Sequence, residues 1–181
     1  MFPPIFSGER LRLAAPLPED AEVFARWTQD DLYLRLLDDD PVRPEPPSRF
    51  EAFATGHDGA TSTYFHLRTL DDDRLIGFVV LFNIKWRNQS AEMAIGIGSQ
   101  ADWGKGYGGD ALRLILNYAF SELNLHRVGL TVLSYNERAI RAYERAGFVR
   151  EGVLRQIVQR DGQRYDMFAY SILRDEWLAR R

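Results

Sequence analysis

The spacing of apolar residues predicts a strand and then a helix in the first part of the chain. From Glu9 to Ala15 apolar and charged residues alternate, as in a half-buried strand. An acidic start at Glu19 and helical spacing of the apolar side chains up to Trp27 predict a helix. The polar, proline-rich stretch from Asp38 to Ser48 predicts a loop, and a short helix is expected near Arg49 to Thr55.

The centre of the chain changes to a period of two, which predicts three strands in an antiparallel meander. The three runs extend from Tyr64 to Leu70, from Arg74 to Ile84 and from Ala91 to Ile97. The clusters between them, Asp71 to Asp73 and Arg87 to Ser90, contain Asp and Asn, which favour turns through hydrogen bonds to their own backbone. Neither cluster needs a functional interpretation.

The second half of the chain alternates helices with strands. An apolar stripe from Leu112 to Leu123 predicts a helix packed on a sheet, and Arg127 to Leu133 predicts the next strand. Asn136 to Gly147 predicts a second helix, with the Asn as its N-cap and the Gly in a left-handed C-terminal cap. Two strands, Phe148 to Gln159 and Arg164 to Leu173, are predicted last. These elements indicate a mixed α/β fold of the α+β type, with a central, mostly antiparallel sheet flanked by helices.

The composition limits the size and the chemistry of the protein. With 181 residues, 45% of them hydrophobic, the chain is expected to form one domain, residues 1–181. Its formal net charge of −3 does not indicate a nucleic-acid-binding surface. The start lacks a basic segment followed by an apolar run, and no apolar stretch reaches the roughly 18 residues that cross a bilayer. We therefore expect a cytoplasmic protein without membrane contact.

The lack of cysteine and the scarcity of histidine exclude several kinds of site. A chain without cysteine forms no disulfide, no thiolate metal site and no cysteine nucleophile. The three histidines, His57, His66 and His126, lie far apart, and their spacing brings no two of them onto one helical face. We therefore expect no metal site, and we interpret His66 and His126 as structural or exposed residues.

The candidate chemistry begins with a glycine-rich segment between a predicted strand and a predicted helix. Backbone without side chains can wrap an anion there, and the free N–H groups and the dipole of the helix start favour phosphate. A mobile surface turn is the alternative, but four glycines within six residues, with a lysine among them, favour phosphate binding. The residues of this glycine loop are Trp103, Gly104, Lys105, Gly106, Tyr107, Gly108 and Gly109.

Two other nucleotide-binding loops share part of this pattern. Gly104, Gly106 and Gly109 have the spacing G-x-G-x-x-G of a Rossmann loop. However, the loop follows an antiparallel meander, only one βαβ unit comes after it, and the ribose-binding acid is missing. The Walker pattern fails because Lys105 lies inside the loop and no Gly-Lys-Ser/Thr sequence closes it. A nicotinamide-dependent oxidoreductase is therefore the less favoured interpretation.

Two sequence blocks together resemble the GCN5-related N-acetyltransferases, and within them the RimJ and RimL group of ribosomal-protein N-terminal acetyltransferases. The glycine loop is similar to the family's pyrophosphate loop, and Asn136 to Phe148 is similar to its second cofactor-binding helix. Trp103 stands where the wider superfamily often has Gln or Arg, and it is compatible with this group. The resemblance extends from Arg10 to Trp177. It implies the fold of that family, whose sheet is splayed at the two central strands that bind acetyl-coenzyme A (acetyl-CoA).

The resemblance also implies which residues bind the donor. Backbone amides from Lys105 to Gly109 would hold the pyrophosphate of coenzyme A (CoA). The strand around Ile95 and Ile97 would pair with the pantetheine arm like an added strand. Asn136 and Arg138 occupy the family's Asn-x-Arg-Ala position and are further donor-binding candidates.

Tyr143 and Glu92 are the catalytic candidates. Tyr143 occupies the position of a family tyrosine whose hydroxyl reaches the CoA sulfur, where it would protonate or stabilise the thiolate; core packing is the alternative. Glu92 alternates with Ala94 and Gly96 on one strand face, where small residues would leave room for a substrate. The resemblance suggests Glu92 as the base for the acceptor amine, acting through water, and a solvent-facing strand residue is the alternative.

The function expected from the sequence is transfer of an acetyl group from acetyl-CoA to an amine, by direct attack in a ternary complex. Without cysteine, no thioester with the enzyme can form. The acceptor stays open among a protein N-terminus, a polyamine and a small-molecule amine, and so does homodimer formation. A CoA-binding sensor or interaction module without activity is the alternative from another class. The acidic clusters Asp30–Asp31, Asp38–Asp40 and Asp71–Asp73 are interpreted as solvated loop charge.

Overall fold

One seven-stranded sheet forms the centre of the computed structural model, which describes residues 4–54 and 59–180. The strand order is β1-β2-β3-β4-β5-β7-β6, and all neighbours are antiparallel except β4 and β5. This confirms the predicted mixed, mostly antiparallel sheet. The strands are β1 Leu11–Ala14, β2 Thr63–Thr69, β3 Leu75–Lys85, β4 Ser90–Ile97, β5 Arg127–Leu133, β6 Val149–Arg160 and β7 Gln163–Leu173.

The helices lie on both faces of this sheet. The predicted helices after Glu19, after the glycine loop and after Asn136 are confirmed as α1, α4 and α5, but α2 and α6 were not predicted. The short helix expected near Arg49 is a 3-10 turn followed by α3, and Thr55 lies outside the described residues. The helices are α1 Asp20–Trp27, α2 Asp31–Leu37, α3 Glu51–Ala54, α4 Tyr107–Asn117, α5 Glu137–Ala146 and α6 Arg174–Leu178.

Two apolar clusters cover the two faces of the sheet. Successive side chains of a strand point to opposite faces, and on β3 Phe78 and Val79 belong to different clusters. The larger cluster joins the buried side of α4, including Leu112 and Ile115, to one face. The smaller one joins Phe24 of α1 to Phe78 on the other face, together with side chains of α2. The sheet is therefore the middle layer of the fold, with α4 and α5 on one face and α1 and α2 on the other.

The sheet is split between its two central strands. β4 and β5 pair only from Ser90↔Arg127 to Glu92↔Gly129. Beyond that point β4 continues to Ile97 without pairing to β5. This confirms the predicted splay, which leaves an opening through the sheet. No helix within the described residues is long and apolar enough to cross a membrane.

Candidate active site

A cavity of about 590 Å³ lies at the splay between β4 and β5. Its walls are the end of α2, the splayed half of β4, the glycine loop, the start of α4, β5 and the inner face of α5. Of the residues predicted to form the site, all except Lys105 line this cavity. The lining residues among them are Glu92, Ile95, Ile97, Trp103, Gly104, Gly106, Tyr107, Gly108, Gly109, Asn136, Arg138 and Tyr143.

The glycine loop forms an open cradle at the start of α4. Gly106 is the N-cap and has a left-handed φ of 87°, which only glycine adopts without strain. The first N–H groups of a helix have no partner within it, so those of Tyr107 and its neighbours are available to a ligand. A Cβ atom built on Gly108 or Gly109 would meet nothing within 4 Å. The backbone here is accessible to a bulky anion such as a phosphate.

Charged side chains next to the glycine loop form an ion-pair network. The guanidinium of Arg74 donates two hydrogen bonds to the buried carboxylate of Asp102, at 2.8 and 3.0 Å. These bonds hold the pKa of Asp102 below its usual range, so the carboxylate stays charged. Lys105 lies 3.8 Å from the same carboxylate, and its side chain is 56% exposed. Lys105 is therefore positioned at the rim, where it can approach an anion, and neither Arg74 nor Asp102 was predicted from the sequence.

Trp103 connects the two sides of the cleft. Its indole Nε1 donates to the Ile97 carbonyl oxygen at 2.8 Å, at the end of β4. The guanidinium carbon of Arg138 on α5 lies 3.6 Å from the centroid of the Trp103 ring. Arg138 has no carboxylate partner among the described residues, and desolvation lowers its pKa. An unpaired cation of this kind favours an anionic ligand.

Tyr143 is buried on α5 and lies against the cavity. Its ring packs edge-on against Phe148, with 5.8 Å between the centroids, so the core-packing alternative is correct for the ring. Its hydroxyl makes no hydrogen bond to any described residue, although the side chain lines the cavity. Burial raises the pKa of Tyr143 to about 12, which keeps the hydroxyl protonated at physiological pH. The hydroxyl is therefore a free donor at the cavity wall.

Glu92 lies on the opposite face of the sheet, at the last position where β4 pairs with β5. Its carboxylate is exposed and accepts a hydrogen bond from Asn83 of β3 at 2.9 Å. The predicted room along this face is only partly present. A Cβ atom built on Gly96 would lie 2.6 Å from the Phe78 ring and 3.1 Å from Leu37, so that space is filled. Open room remains beside Glu92 and Ala94, which both line the cavity.

The Asn136 side chain forms hydrogen bonds that hold two elements of the cavity wall together. Its Oδ1 accepts from the Ala139 N–H at 3.1 Å and caps α5, as predicted. Its Nδ2 donates to the carbonyl oxygen of Leu36 on α2 at 2.9 Å. The side chain is 6% exposed, and both of its polar atoms are bonded to protein. These contacts favour a positioning role for Asn136 over a direct contact with the donor.

The end of α2 adds carboxylates that the sequence did not place in the site. Asp38 and Asp39 line the cavity, whereas no member of the other two acidic clusters does. Desolvation by the surrounding protein raises the pKa of Asp38 above its usual range. Both side chains are exposed, as expected for solvated loop charge, and they line the cavity as well. The sequence analysis did not predict α2, and Asp38 and Asp39 reach the cleft because they follow the end of this helix.

The histidines lie away from the cavity. His66 is fully buried, and its Nδ1 lies 2.5 Å from the Asp20 carboxylate. His126 is exposed at the start of β5, and His57 lies outside the described residues. Among the residues that the structure describes, no cluster of His, Asp or Glu is arranged to hold a metal ion.

The cavity has two sides, which we call the donor side and the acceptor side. On the donor side Met93, Tyr107 and Tyr143 belong to the cluster of α4 and α5, while Trp103, under Arg138, packs against the smaller cluster. Glu92 and the carboxylates after α2 lie on the opposite face. The two sides meet through the splay. The arrangement can hold an anionic substrate on one face and a cationic substrate on the other.

Several known proteins are similar to this chain in sequence and in fold. The sequence profile of the acetyltransferase (GNAT) domain matches residues 10–149. The chain is 29% identical over 174 residues to YoaA, an uncharacterised N-acetyltransferase of Bacillus subtilis, and the match covers 94% of this chain and 97% of YoaA. It is 37% identical over 106 residues to a spermidine N(1)-acetyltransferase of Vibrio cholerae, a match that covers 59% of this chain and 61% of the relative. A Vibrio cholerae spermidine N-acetyltransferase, solved with CoA and spermine, superposes with a TM-score of 0.82 at 27% identity, covering 93% of this chain and 98% of the other.

Proposed function

The chain belongs to the GNAT family of acetyl-CoA-dependent N-acetyltransferases, and from this premise we propose that it acetylates a primary amine that carries a second positive charge, of the polyamine type. One observation carries the proposal. Asp38 and Asp39 line the same cavity as Glu92, on the face opposite the Tyr143 hydroxyl. A cationic acceptor can therefore bind to carboxylates while its reacting amine reaches the splay.

The residues on the donor side fit acetyl-CoA. The open backbone of Gly108 and Gly109 would receive the pyrophosphate, with Lys105 at the rim. Arg138 would add a cation that has no acid partner among the described residues. Around Ile95 the edge of β4 that faces β5 is not paired with it, and this edge offers backbone groups to the amides of the pantetheine arm. The carbonyl oxygen of Ile97 already accepts a hydrogen bond from Trp103. We therefore assign Trp103 a structural role at the end of β4, where it satisfies this backbone group.

Transfer then takes place across the splay. When bound, acetyl-CoA supplies an activated acetyl thioester: the amine nitrogen attacks the carbonyl carbon, the C–N bond forms, and the C–S bond breaks to release CoA as a thiolate. Glu92 receives the proton that the amine loses, through water. Its carboxylate is held by Asn83 and is open to solvent, so the proton can pass on to water.

Tyr143 acts on the departing sulfur. Its pKa of about 12 lies well above the value of about 8.5 for an ordinary thiol, so complete proton transfer to the sulfur would be unfavourable. A protonated phenol is a good hydrogen-bond donor to a thiolate, however. We therefore assign Tyr143 the stabilisation of the thiolate by a hydrogen bond, and the thiolate takes its final proton from water after release.

A panel of amines tests this proposal. Release of CoA thiol from acetyl-CoA is measured with spermidine, with a monoamine of similar length, and with a peptide that has a free α-amino group, the acceptor that the RimJ and RimL resemblance favours. A preference of at least about tenfold in kcat/KM for spermidine over the monoamine is expected from the second charge. Equal values would overturn the cationic-acceptor proposal. A CoA-binding protein without turnover of any amine would support the sensor alternative instead.

A further inference from the structure

The last turn of α2 is attached across the cleft to the start of α5. The Tyr135 hydroxyl donates to the carbonyl oxygen of Arg35 at 2.9 Å, and the Asn136 amide donates to that of Leu36 at 2.9 Å. The two donors are neighbours in the loop between β5 and α5. The last carbonyl groups of a helix have no partner within it. These bonds therefore satisfy the end of α2 with groups from the other side of the splay.

The hairpin of β6 and β7 makes a second attachment to the same turn. The Arg35 guanidinium donates to the Asp161 carboxylate at 2.7 and 3.2 Å. Arg160 donates to the backbone carbonyl oxygen of Asp38 at 2.9 Å. Arg160 and Asp161 both lie at the tip of the hairpin. The end of α2 is thus fixed from two elements that are distant in the sequence.

We propose that Tyr135 and Asn136 are positioning residues for the acceptor, which hold Asp38 and Asp39 in the cavity wall. This inference rests on the proposed function, since it assigns those carboxylates to the acceptor amine. Asp38 follows α2 directly, so its direction depends on where the last turn of the helix is held. Tyr135 does not line the cavity. Its hydroxyl can therefore affect acceptor binding without contacting either substrate.

Tyr135→Phe is the variant that isolates this effect. The ring is retained, and with it the edge-on packing on Tyr165 at 4.9 Å between centroids, while only the bond to Arg35 is lost. Losing one such bond is expected to raise the KM for spermidine by about threefold to tenfold. The KM for acetyl-CoA and kcat should stay within about twofold of wild type. Tyr165→Phe is the matched control, because its hydroxyl bonds to Gln163 within its own hairpin at 3.0 Å, and it should behave like wild type.

A second readout does not depend on turnover. Amide hydrogen exchange of residues 36–40, measured without substrates, should be faster in Tyr135→Phe than in Tyr165→Phe and in wild type. Equal exchange in all three proteins would overturn the inference, and so would an equal rise of both KM values. If wild type acetylates no amine, the proposed function fails, while faster exchange would still show that the Tyr135 bond holds this turn.

Asp161→Asn tests the attachment from the hairpin. Asp161 has a left-handed φ of 49°, which Asn tolerates well, so the turn is preserved while the ion pair with Arg35 is weakened. Combined with Tyr135→Phe, this change should raise the KM for spermidine further than either change alone, with the KM for acetyl-CoA still near wild type. A double variant with the acceptor KM of wild type would contradict the positioning role.

Discussion

Asn83 holds the carboxylate of Glu92 across the pair of β3 and β4, with 2.9 Å between its Nδ2 and the Oε1 of Glu92. Asn83 lies at a β-bulge, where the register shifts between Phe82 and Lys85, and it has a left-handed φ of 53°. A bulge redirects a side chain that regular pairing would place elsewhere. The bulge therefore serves to aim the Asn83 amide at the candidate base.

Replacing Glu92 by Gln should remove the base while keeping the shape of the site. The Gln carbonyl oxygen can still accept from Asn83, so the local geometry is retained. We expect kcat to fall by about a hundredfold. The measurement is kcat of both proteins with saturating substrates. A variant that keeps the kcat of wild type would remove Glu92 from the mechanism.

Replacing Asn83 by Gly should cause a smaller loss, because it frees Glu92 without removing it. Gly adopts the left-handed conformation at this position without strain, so the bulge itself is preserved. Loss of one exposed hydrogen bond predicts a fall in kcat of about threefold to tenfold, with the KM for acetyl-CoA unchanged. Steady-state kinetics of both variants provide the comparison. A loss as large as that of Glu92→Gln would indicate a direct role for Asn83.

Replacing Tyr143 by Phe should lower kcat without weakening the donor complex. The ring keeps its packing on Phe148, and only a hydroxyl with no partner among the described residues is lost. A hydrogen bond to a charged group is worth about 1.5–3 kcal/mol, so kcat should fall by roughly tenfold to a hundredfold. The KM for acetyl-CoA and the melting temperature should remain near those of wild type. Unchanged turnover would leave Tyr143 with a packing role alone.

The raised pKa of Tyr143 also predicts the shape of the basic limb. A hydrogen-bond donor must be protonated, and Tyr143 stays protonated up to a pKa of about 12. Its ionisation therefore causes no loss of kcat between pH 7 and about 10. The profile is measured with wild type at saturating substrates. A basic limb below pH 10 that disappears in Tyr143→Phe would show that the hydroxyl ionises there. It would contradict the conclusion that burial raises the pKa of Tyr143.

Gly109→Ala should weaken acetyl-CoA binding without weakening the fold. The added methyl group would meet no protein atom within 4 Å, and alanine favours helix over glycine. It would, however, occupy the space through which a phosphate approaches the backbone. We expect the melting temperature without ligand to be equal or higher and the Kd for CoA to rise by about tenfold, measured by calorimetry.

Gly106→Ala is the comparison for that experiment. Gly106 has a left-handed φ of 87°, and its Cβ atom would lie 3.1 Å from the Arg10 Nε. This change should lower the melting temperature as well as the affinity, because a left-handed alanine is strained. A Gly109→Ala variant that binds CoA like wild type would exclude the cradle as the phosphate site.

The strands and the glycine loop could be predicted because their signals are local. A period of two, turn residues and caps such as Asn136 depend on neighbours in the sequence, and β5 has the predicted bounds. The helix α2 escaped prediction because Asp31–Leu37 is only seven residues long. Much of its anchoring comes from Tyr135 and other distant residues. Tertiary contacts of this kind leave no periodic signal in the sequence.

The candidate site divides in the same way. Its donor side follows from a motif, whereas its acceptor side depends on bonds between residues far apart in the chain. Asn83 and Glu92 meet only because of a bulge, and Arg74 reaches Asp102 only in the folded sheet. The room predicted beside Glu92, Ala94 and Gly96 is only partly present, because strand alternation does not show that Phe78 packs at Gly96 from the neighbouring strand. Residues that support a site are therefore found from the structure.

His66 predicts how stability depends on pH. It is fully buried between Phe24 and Tyr64, its Nδ1 lies 2.5 Å from Asp20, and its Nε2 has no partner among the described residues. Arg68 already donates to the same Asp20 carboxylate at 2.5 Å. Burial therefore lowers the pKa of His66 below the value of about 6.5 that applies to the unfolded chain.

Because the unfolded chain binds this proton more readily, the free energy of unfolding should fall as the pH drops below about 6.5, by up to about 1.4 kcal/mol per pH unit. Above that pH the contribution is fully present. Urea unfolding of wild type and His66→Gln at pH 7.5, 6.5 and 5.5 measures it, and the difference between the two proteins should shrink towards acid pH. His126→Gln is the control for the loss of a histidine, since His126 is exposed and lies outside this buried cluster. Parallel curves for wild type and His66→Gln would show that His66 does not titrate in this range.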